Sequence, residues 1–329
     1  MFKDCEPCLE SIAPRNTKKE LTESVSAGFG ENRIERKLVI TDNRYRYREA
    51  IDIKERIVKF IEKSVRENNY RGAVIGISGG IDSAVVGKLA VEALGRERVF
   101  GLLLPERDSS ARTMRDSRLV VDFLGIEHKI KRISGALRAI GTYRLEPPAL
   151  LIPSNIKENY VKSKWKALSD DSFLDDLLNR GNEEFLKGLA YYRSKHRMRL
   201  VALYLEAEKR NYAVLGTTNK TEKLCGFYVK WGDDSSDIEP IMHLYKTQVY
   251  TLARELKIPR SIIDKPPTPD LVPGITDEFA LGMKYSELDA ILEKIERGEE
   301  TIPPDSKVGR VRKILDAAKF RDIRNLSIQ

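Results

Sequence analysis

The sequence predicts an α/β protein built on a doubly wound parallel sheet flanked by helices. Three observations carry this expectation. The short apolar runs Ala73-Val74-Ile75-Gly76-Ile77, 99–104 and Ala213-Val214-Leu215-Gly216 have the length and composition of strands buried on both faces. Segments with helical spacing separate them. The first run passes through a glycine-rich turn straight into a helical segment, as a parallel α/β unit requires.

In chain order, Ile53, Ile57, Phe60, Ile61 and Val65 recur at helical spacing and predict an amphipathic helix to about Glu67. After the first strand and turn, Ala84-Val85-Val86-Gly87-Lys88-Leu89-Ala90 opens the next helix. Residues 99–104 read as a strand, 109–124 as a helix with a serine cap, and 126–133 as an alternating strand. Residues 142–187 break the rhythm with Pro147, Pro148 and Pro153, and are expected to form an insertion on the rim, helical near 173–178. A long helix is expected over 188–210, another over 244–256, and a last one from a Ser286 cap to about Arg297. Pro266, Pro267, Pro269 and Pro273 punctuate a loop. Residues 1–46 are polar and poor in aromatic anchors, and are expected to be an extension preceding a single domain over 47–329.

Composition narrows the class. Hydrophobic residues make up 41% and charged residues 33%, as in a soluble globular chain. No apolar run is long enough for a membrane helix, and the N-terminus lacks an apolar signal core, so a cytoplasmic protein without membrane partners is expected. Three cysteines exclude a disulfide framework, and Cys5 and Cys8 lack the second pair that a structural zinc site needs. The net charge of +8 attracts polyanions, which include both nucleic acid and ATP.

The chemistry begins at Gly76, Ile77, Ser78, Gly79, Gly80, Ile81, Asp82 and Ser83, between a strand and a helix. Glycines let backbone N–H groups approach phosphate oxygens, and the helix N-terminus favours the same anion. Ser78 and Ser83 add hydroxyls. Asp82 would repel bare phosphate, so it implies Mg²⁺ between carboxylate and pyrophosphate. No Gly-Lys-Ser/Thr follows, so this is not a Walker loop. With its acid inside the turn, it is not a dinucleotide fingerprint either. Downstream, Leu215-Gly216-Thr217-Thr218-Asn219-Lys220-Thr221-Glu222 ends another strand at the ligand-binding edge of a parallel sheet. The loop Gly226-Phe227-Tyr228-Val229-Lys230-Trp231-Gly232-Asp233-Asp234-Ser235-Ser236-Asp237 follows. Lys246 stands near a helix start, where an exposed lysine and a phosphate contact are both open.

The 78–83 loop resembles that of the N-type ATP pyrophosphatases, SGGxDS, which adenylate an oxygen and release pyrophosphate. The order of SGGIDS, GTTNKTE, FYVKWGDDSSDIEPI, LYKTQVYTLA and Pro267-Thr268-Pro269-Asp270-Leu271 further resembles the NAD synthetase family over about 47–295. The resemblance implies ATP-dependent amidation of deamido-NAD to NAD through an acyl adenylate. Ammonia would be the nitrogen donor, either free or from a separate glutaminase, because 46 residues cannot hold one. It further implies that 76–83, Thr217, Lys246 and Thr268 bind ATP. Asp82 and Glu222 would hold Mg²⁺, and Asp82 and Lys246 would be catalytic. Lys195, Arg197, Lys230 and Asp237 would bind deamido-NAD, and the chain would be a homodimer. Lys195 stands where the family's ARxRM pattern has its first arginine, the family's C-terminal His-Lys-Arg is absent, and Thr268 replaces a serine. An adenylating amide ligase for another carboxylate therefore stays open. A tRNA-modifying pyrophosphatase draws on the basic charge, but no RNA-binding module supports nucleic acid as a partner.

Overall fold

The computed structural model describes residues 51–146, 169, 171–268, 276–299 and 306–323. The 1–46 extension, Cys5 and Cys8, most of the expected insertion (147–168 and 170), Pro273 and Arg324 lie outside the described residues.

Among the described residues, four parallel strands form the sheet in the order β3-β2-β1-β4, where β1 is Gly72–Gly76, β2 Val99–Leu103, β3 Glu127–Ile130 and β4 Tyr212–Leu215. The chain builds outward from β1 to β3 and then returns to the other side of β1. That reversal leaves a switch point at the C-terminal ends of β1 and β4, where open parallel sheets bind ligands.

The period of two along the strands sorts the core into two layers. Ala73, Ile75, Val99, Leu103, Ala213 and Leu215 face α1 (51–67), α2 (Ile81–Leu94), α3 (Ala111–Leu124) and α8 (Lys246–Glu255). Val74, Phe100, Leu102 and Val214 face the opposite way. They pack on Leu137 of α4 (Ser134–Ala139) and on Ala202 and Ala207 of the long α6 (Glu183–Glu208). A third cluster joins α5 (Ser172–Leu177) and α7 (Lys220–Cys225) to α10 (Asp277–Leu281), α11 (Tyr285–Glu296) and α12 (Lys307–Asp322). A short α9 (Arg260–Ile263) follows α8.

Some expected boundaries move for identifiable reasons. The strand expected over 126–133 is only β3, an exposed edge carrying Glu127, His128 and Lys129. Ile126 and Ile133 are buried in the two core layers as flanking anchors, which is what produced the longer alternation. The helix expected from 244 begins at Lys246, because the Leu244 carbonyl accepts the Lys220 N–H instead (2.8 Å). Ser286 is not a cap. Lys284 holds that position, its N–H donating to Glu287 (3.3 Å), and Ser286 lies inside the first turn. The serine cap of α3 is Ser110, whose hydroxyl accepts the Thr113 N–H (3.0 Å).

Candidate active site

A cleft of ≈310 Å³ opens at the switch point. Its floor is the turn from β1 into α2. Gly79 has φ +74°, and a Cβ there would stand 2.7 Å from the Ser117 nitrogen, so only glycine fits. The loop is braced from within. The Ser83 hydroxyl donates to the Gly80 carbonyl (3.0 Å) and lies 3.1 Å from the Ser78 hydroxyl, which accepts the Gly80 N–H (3.2 Å). The two serines therefore shape the loop as well as offering oxygens to a ligand.

Lys246 closes the cleft from α8. It is buried, with Nζ 2.6 Å from Asp82 Oδ2 and 3.3 Å from Glu222 Oε1. Burial lowers its pKa, but the two carboxylates outweigh this and push it up, so the ammonium stays charged. Burial pushes the Glu222 carboxyl up, against the downward pull of Lys246. Asn219 ties the cluster together. It caps α7 by accepting the Glu222 N–H (3.0 Å), and its own N–H is held by the Glu222 carboxylate (3.2 Å). Its side-chain amide also donates to Asp82 (3.2 Å). Asp277 lines the same wall, buried and bound by the Tyr285 hydroxyl (3.0 Å).

The cleft gathers Gly76, Ile77, Ser78, Gly80, Ile81, Asp82, Ser83, Thr217, Glu222, Lys246 and Thr268 along its lining, with Gly79 shaping the turn beneath. Two carboxylates converging on one cation make a hard-oxygen donor pair. That pair fits Mg²⁺, which takes one or two carboxylates plus substrate phosphates. Among the described residues no group of three or more His, Cys, Asp or Glu side chains is placed to cage a metal.

None of the four residues expected to bind the acyl substrate is on that lining. Lys195 is 0% exposed and paired with Glu106 (3.1 Å) and Asp108 (3.0 Å), so its charge is spent inside the fold. Arg197 donates twice to the Lys230 carbonyl (3.2 and 3.1 Å), and Lys230 reaches the Ile323 carbonyl. Asp237 accepts the Val214 N–H (2.7 Å) and the Tyr204 hydroxyl (3.1 Å). Lys195 is thus held by the loop after β2, Arg197 by the Lys230 carbonyl, Asp237 by β4 and α6, and Lys230 by the chain after α12.

Sequence reasoning also passed over Glu239. Its carboxylate accepts the Thr218 N–H (3.3 Å) and the Ser236 hydroxyl (2.7 Å), joining the 217–218 strand end to the loop before it, and burial pushes it up to about 7. A Cβ on Gly216 would collide with it. The one available signal was a glutamate amid the apolar Ile238, Pro240 and Ile241.

This architecture has relatives. The family model for NAD synthase matches residues 53–169 and 173–325. The chain belongs to the NAD synthase family. It is 58% identical to the NH(3)-dependent NAD(+) synthetase of Thermotoga maritima over 271 residues, spanning 82% of this chain and 96% of that one. To the enzyme of the same name from Coprothermobacter proteolyticus it is 41% identical over 256 residues, 76% and 86% of the two chains. Among solved structures it is similar to NMN synthetase from Francisella tularensis (26% identity, TM-score 0.65, 85% and 98% covered). It is also similar to the NH3-dependent NAD synthetase of Campylobacter jejuni (25%, TM-score 0.60, 85% and 99%). Members of this family bind ATP as co-substrate. No helix among the described residues is long and apolar enough to cross a membrane.

Proposed function

We propose that this chain amidates deamido-NAD to NAD with ammonia, consuming ATP and releasing AMP and pyrophosphate. The observation that carries the proposal is Lys246 held between Asp82 and Glu222 beside the glycine loop, in a chain 58% identical to an NH(3)-dependent NAD(+) synthetase.

In the first step a carboxylate oxygen of the nicotinate attacks the α-phosphorus, and the bond to pyrophosphate breaks. Charge grows on the departing pyrophosphate. The Ser78 and Ser83 hydroxyls, the N-terminus of α2 and the Lys246 ammonium line the cleft that would receive it. Asp82 and Glu222 would hold Mg²⁺, which supplies charge neutralisation to the leaving group. In the second step ammonia attacks the acyl carbonyl, AMP leaves with the bonding pair, and the nitrogen loses a proton to solvent. The loop 227–237 flanks the cleft through Phe227, Tyr228, Gly232 and Asp233, and it shields the adenylate from water.

The acyl site is completed by a second copy of the chain. Arg197, Val201 and Leu205 form an exposed stripe at helical spacing on α6, with Val201 61% exposed. The neighbouring Arg199, Leu200 and Leu203 line the cleft, so a partner on this stripe would border the site.

Purified protein given ATP, Mg²⁺, ammonium and deamido-NAD is expected to form NAD and AMP in equal amounts, and none with glutamine as the only nitrogen source. No NAD with ammonium would overturn the proposal. The likeness to NMN synthetase supports a second reading, with nicotinate mononucleotide as the acceptor. The same assay with that substrate decides between them, and the much higher identity to NAD(+) synthetases favours the dinucleotide.

A further inference from the structure

The glycine loop is flanked by charge on both sides. On the Asp82 side stands Lys246. On the Gly79 side the loop lies directly against α3, where a Cβ on Gly79 would come within 2.8 Å of Asp116 Cβ. Asp116 Oδ2 is 2.8 Å from Lys265 Nζ. Lys265 follows α9 and lines the cleft together with Pro266, Pro267 and Thr268, and its side chain is only 12% exposed.

We propose that Lys265 is a second cation of the pyrophosphate subsite, facing the phosphates from the side of the loop opposite Lys246. An aspartate packed behind a phosphate-binding turn would repel the ligand, and Lys265 cancels that charge where it matters. An ammonium has three N–H donors, and Lys265 meets Asp116 as an ion pair in which Asp116 Oδ2 accepts no hydrogen bond among the described residues. The other candidate for Asp116, Arg112, stands 3.9 Å away and is largely exposed, so it does not relieve Lys265. The lysine is also well anchored. Two prolines follow it, and the Pro267 carbonyl accepts the Asp277 N–H (3.1 Å), which ties this segment to the wall that carries Lys246.

A purely structural ion pair, holding 265–268 onto α3, makes a different forecast, and Asp116 separates the two. If the pair is only a strap, removing either partner loosens the same loop. If Lys265 binds phosphate, removing the Asp116 charge leaves more of the ammonium's attraction for the ligand.

The inference rests on the site being a pyrophosphate-releasing one, so its test uses products that need no acyl substrate. Calorimetric titration of the full chain with pyrophosphate, and separately with AMP, in the presence of Mg²⁺ reads it. Lys265→Met is expected to weaken pyrophosphate binding about tenfold or more, as loss of a charge-assisted contact does, and to leave AMP within about twofold. Asp116→Asn is expected to keep or tighten pyrophosphate binding. Lys265→Arg, which keeps the charge and guards against a misfolded variant, is expected to stay within about threefold. Unchanged pyrophosphate affinity in Lys265→Met would overturn the inference. So would an equal loss in Lys265→Met and Asp116→Asn. Wild-type protein that binds pyrophosphate but makes no NAD would overturn the acyl-substrate reading alone. Wild-type protein that binds no pyrophosphate would overturn both.

Discussion

Lys246 and Lys195 are built alike and placed differently. Each is a buried lysine between two carboxylates, Asp82 and Glu222 for one, Glu106 and Asp108 for the other. Lys246 and its carboxylates open onto the cleft, where an incoming phosphate and metal can share them. The Lys195 cluster is closed, with Tyr191 and Arg107 covering Asp108 and the Tyr143 hydroxyl donating to Glu106. Burial would raise Asp108, yet these donors hold its carboxyl down at about 2. The same ionic chemistry therefore faces an open cleft in one place and is sealed into fixed architecture in the other. The closed cluster still bears on the site, since it anchors the 105–109 loop whose Pro105 and Ser109 line the cleft.

The sharpest break of this pairing is Lys246→Met. Loss of a cation facing the leaving pyrophosphate is expected to lower kcat about 10³-fold or more, roughly 4 kcal/mol of barrier. Steady-state NAD formation measures it. A loss below about tenfold would remove Lys246 from the chemistry. Lys195→Met is expected to act on stability instead. It leaves buried Glu106 without its cation and Asp108 with Arg107 as its cation, which costs about 3–5 kcal/mol and shows as an early urea midpoint. Folded Lys195→Met enzyme should keep its KM for ATP within about threefold. If it unfolds no more readily than Lys246→Met, the closed-versus-open distinction fails.

What the sequence disclosed follows the same division. The floor of the cleft is made of consecutive residues at strand ends, so the apolar runs 73–77 and 213–216 located the turns that carry 78–83 and 217–222. The ionic clusters depend on residues far apart in the chain. Lys195 matched a motif register, but register does not reveal that its side chain turns inward to Glu106, 89 positions away. Asn219 and Glu239 read as ordinary loop residues because their partners, Asp82 and Thr218, are brought to them only by the sheet.

A smaller effect tests the Glu239 contact that joins 217–218 to the loop before it. Glu239 has a folded pKa of about 7, raised by burial above its ordinary 4.5. It binds its proton more tightly in the folded chain, so the stability it brings is complete below about pH 4.5. That stability is lost as pH rises through 7. Glu239→Gln mimics the protonated form and is expected to flatten this slope. The variant should gain about 1–3 kcal/mol on wild type at pH 8 and little at pH 4.5, read from urea unfolding at both values. A gain that is equal at both pH values would assign Glu239 no such role.

The smallest expected effect falls on the acyl half. Arg197 is exposed, its guanidinium rests on the Lys230 carbonyl, and α6 turns it away from the cleft of its own chain. Its pKa is lowered, chiefly by burial of part of its stem and then by Arg193 nearby, but it remains a cation at any working pH. If two copies meet on the α6 stripe, that cation faces the substrate bound at the partner. Arg197→Ala is then expected to raise KM for deamido-NAD about tenfold, the worth of one exposed charge-assisted contact, with KM for ATP unchanged. Val201→Asp on the same stripe is expected to dissociate the pair and raise the same KM while leaving the ATP side alone. Sedimentation of Val201→Asp beside the two KM values decides the matter. A monomer with wild-type KM for deamido-NAD would mean that each chain holds its acyl substrate unaided. Lys246 and the residues around it would then have to carry both halves of the reaction.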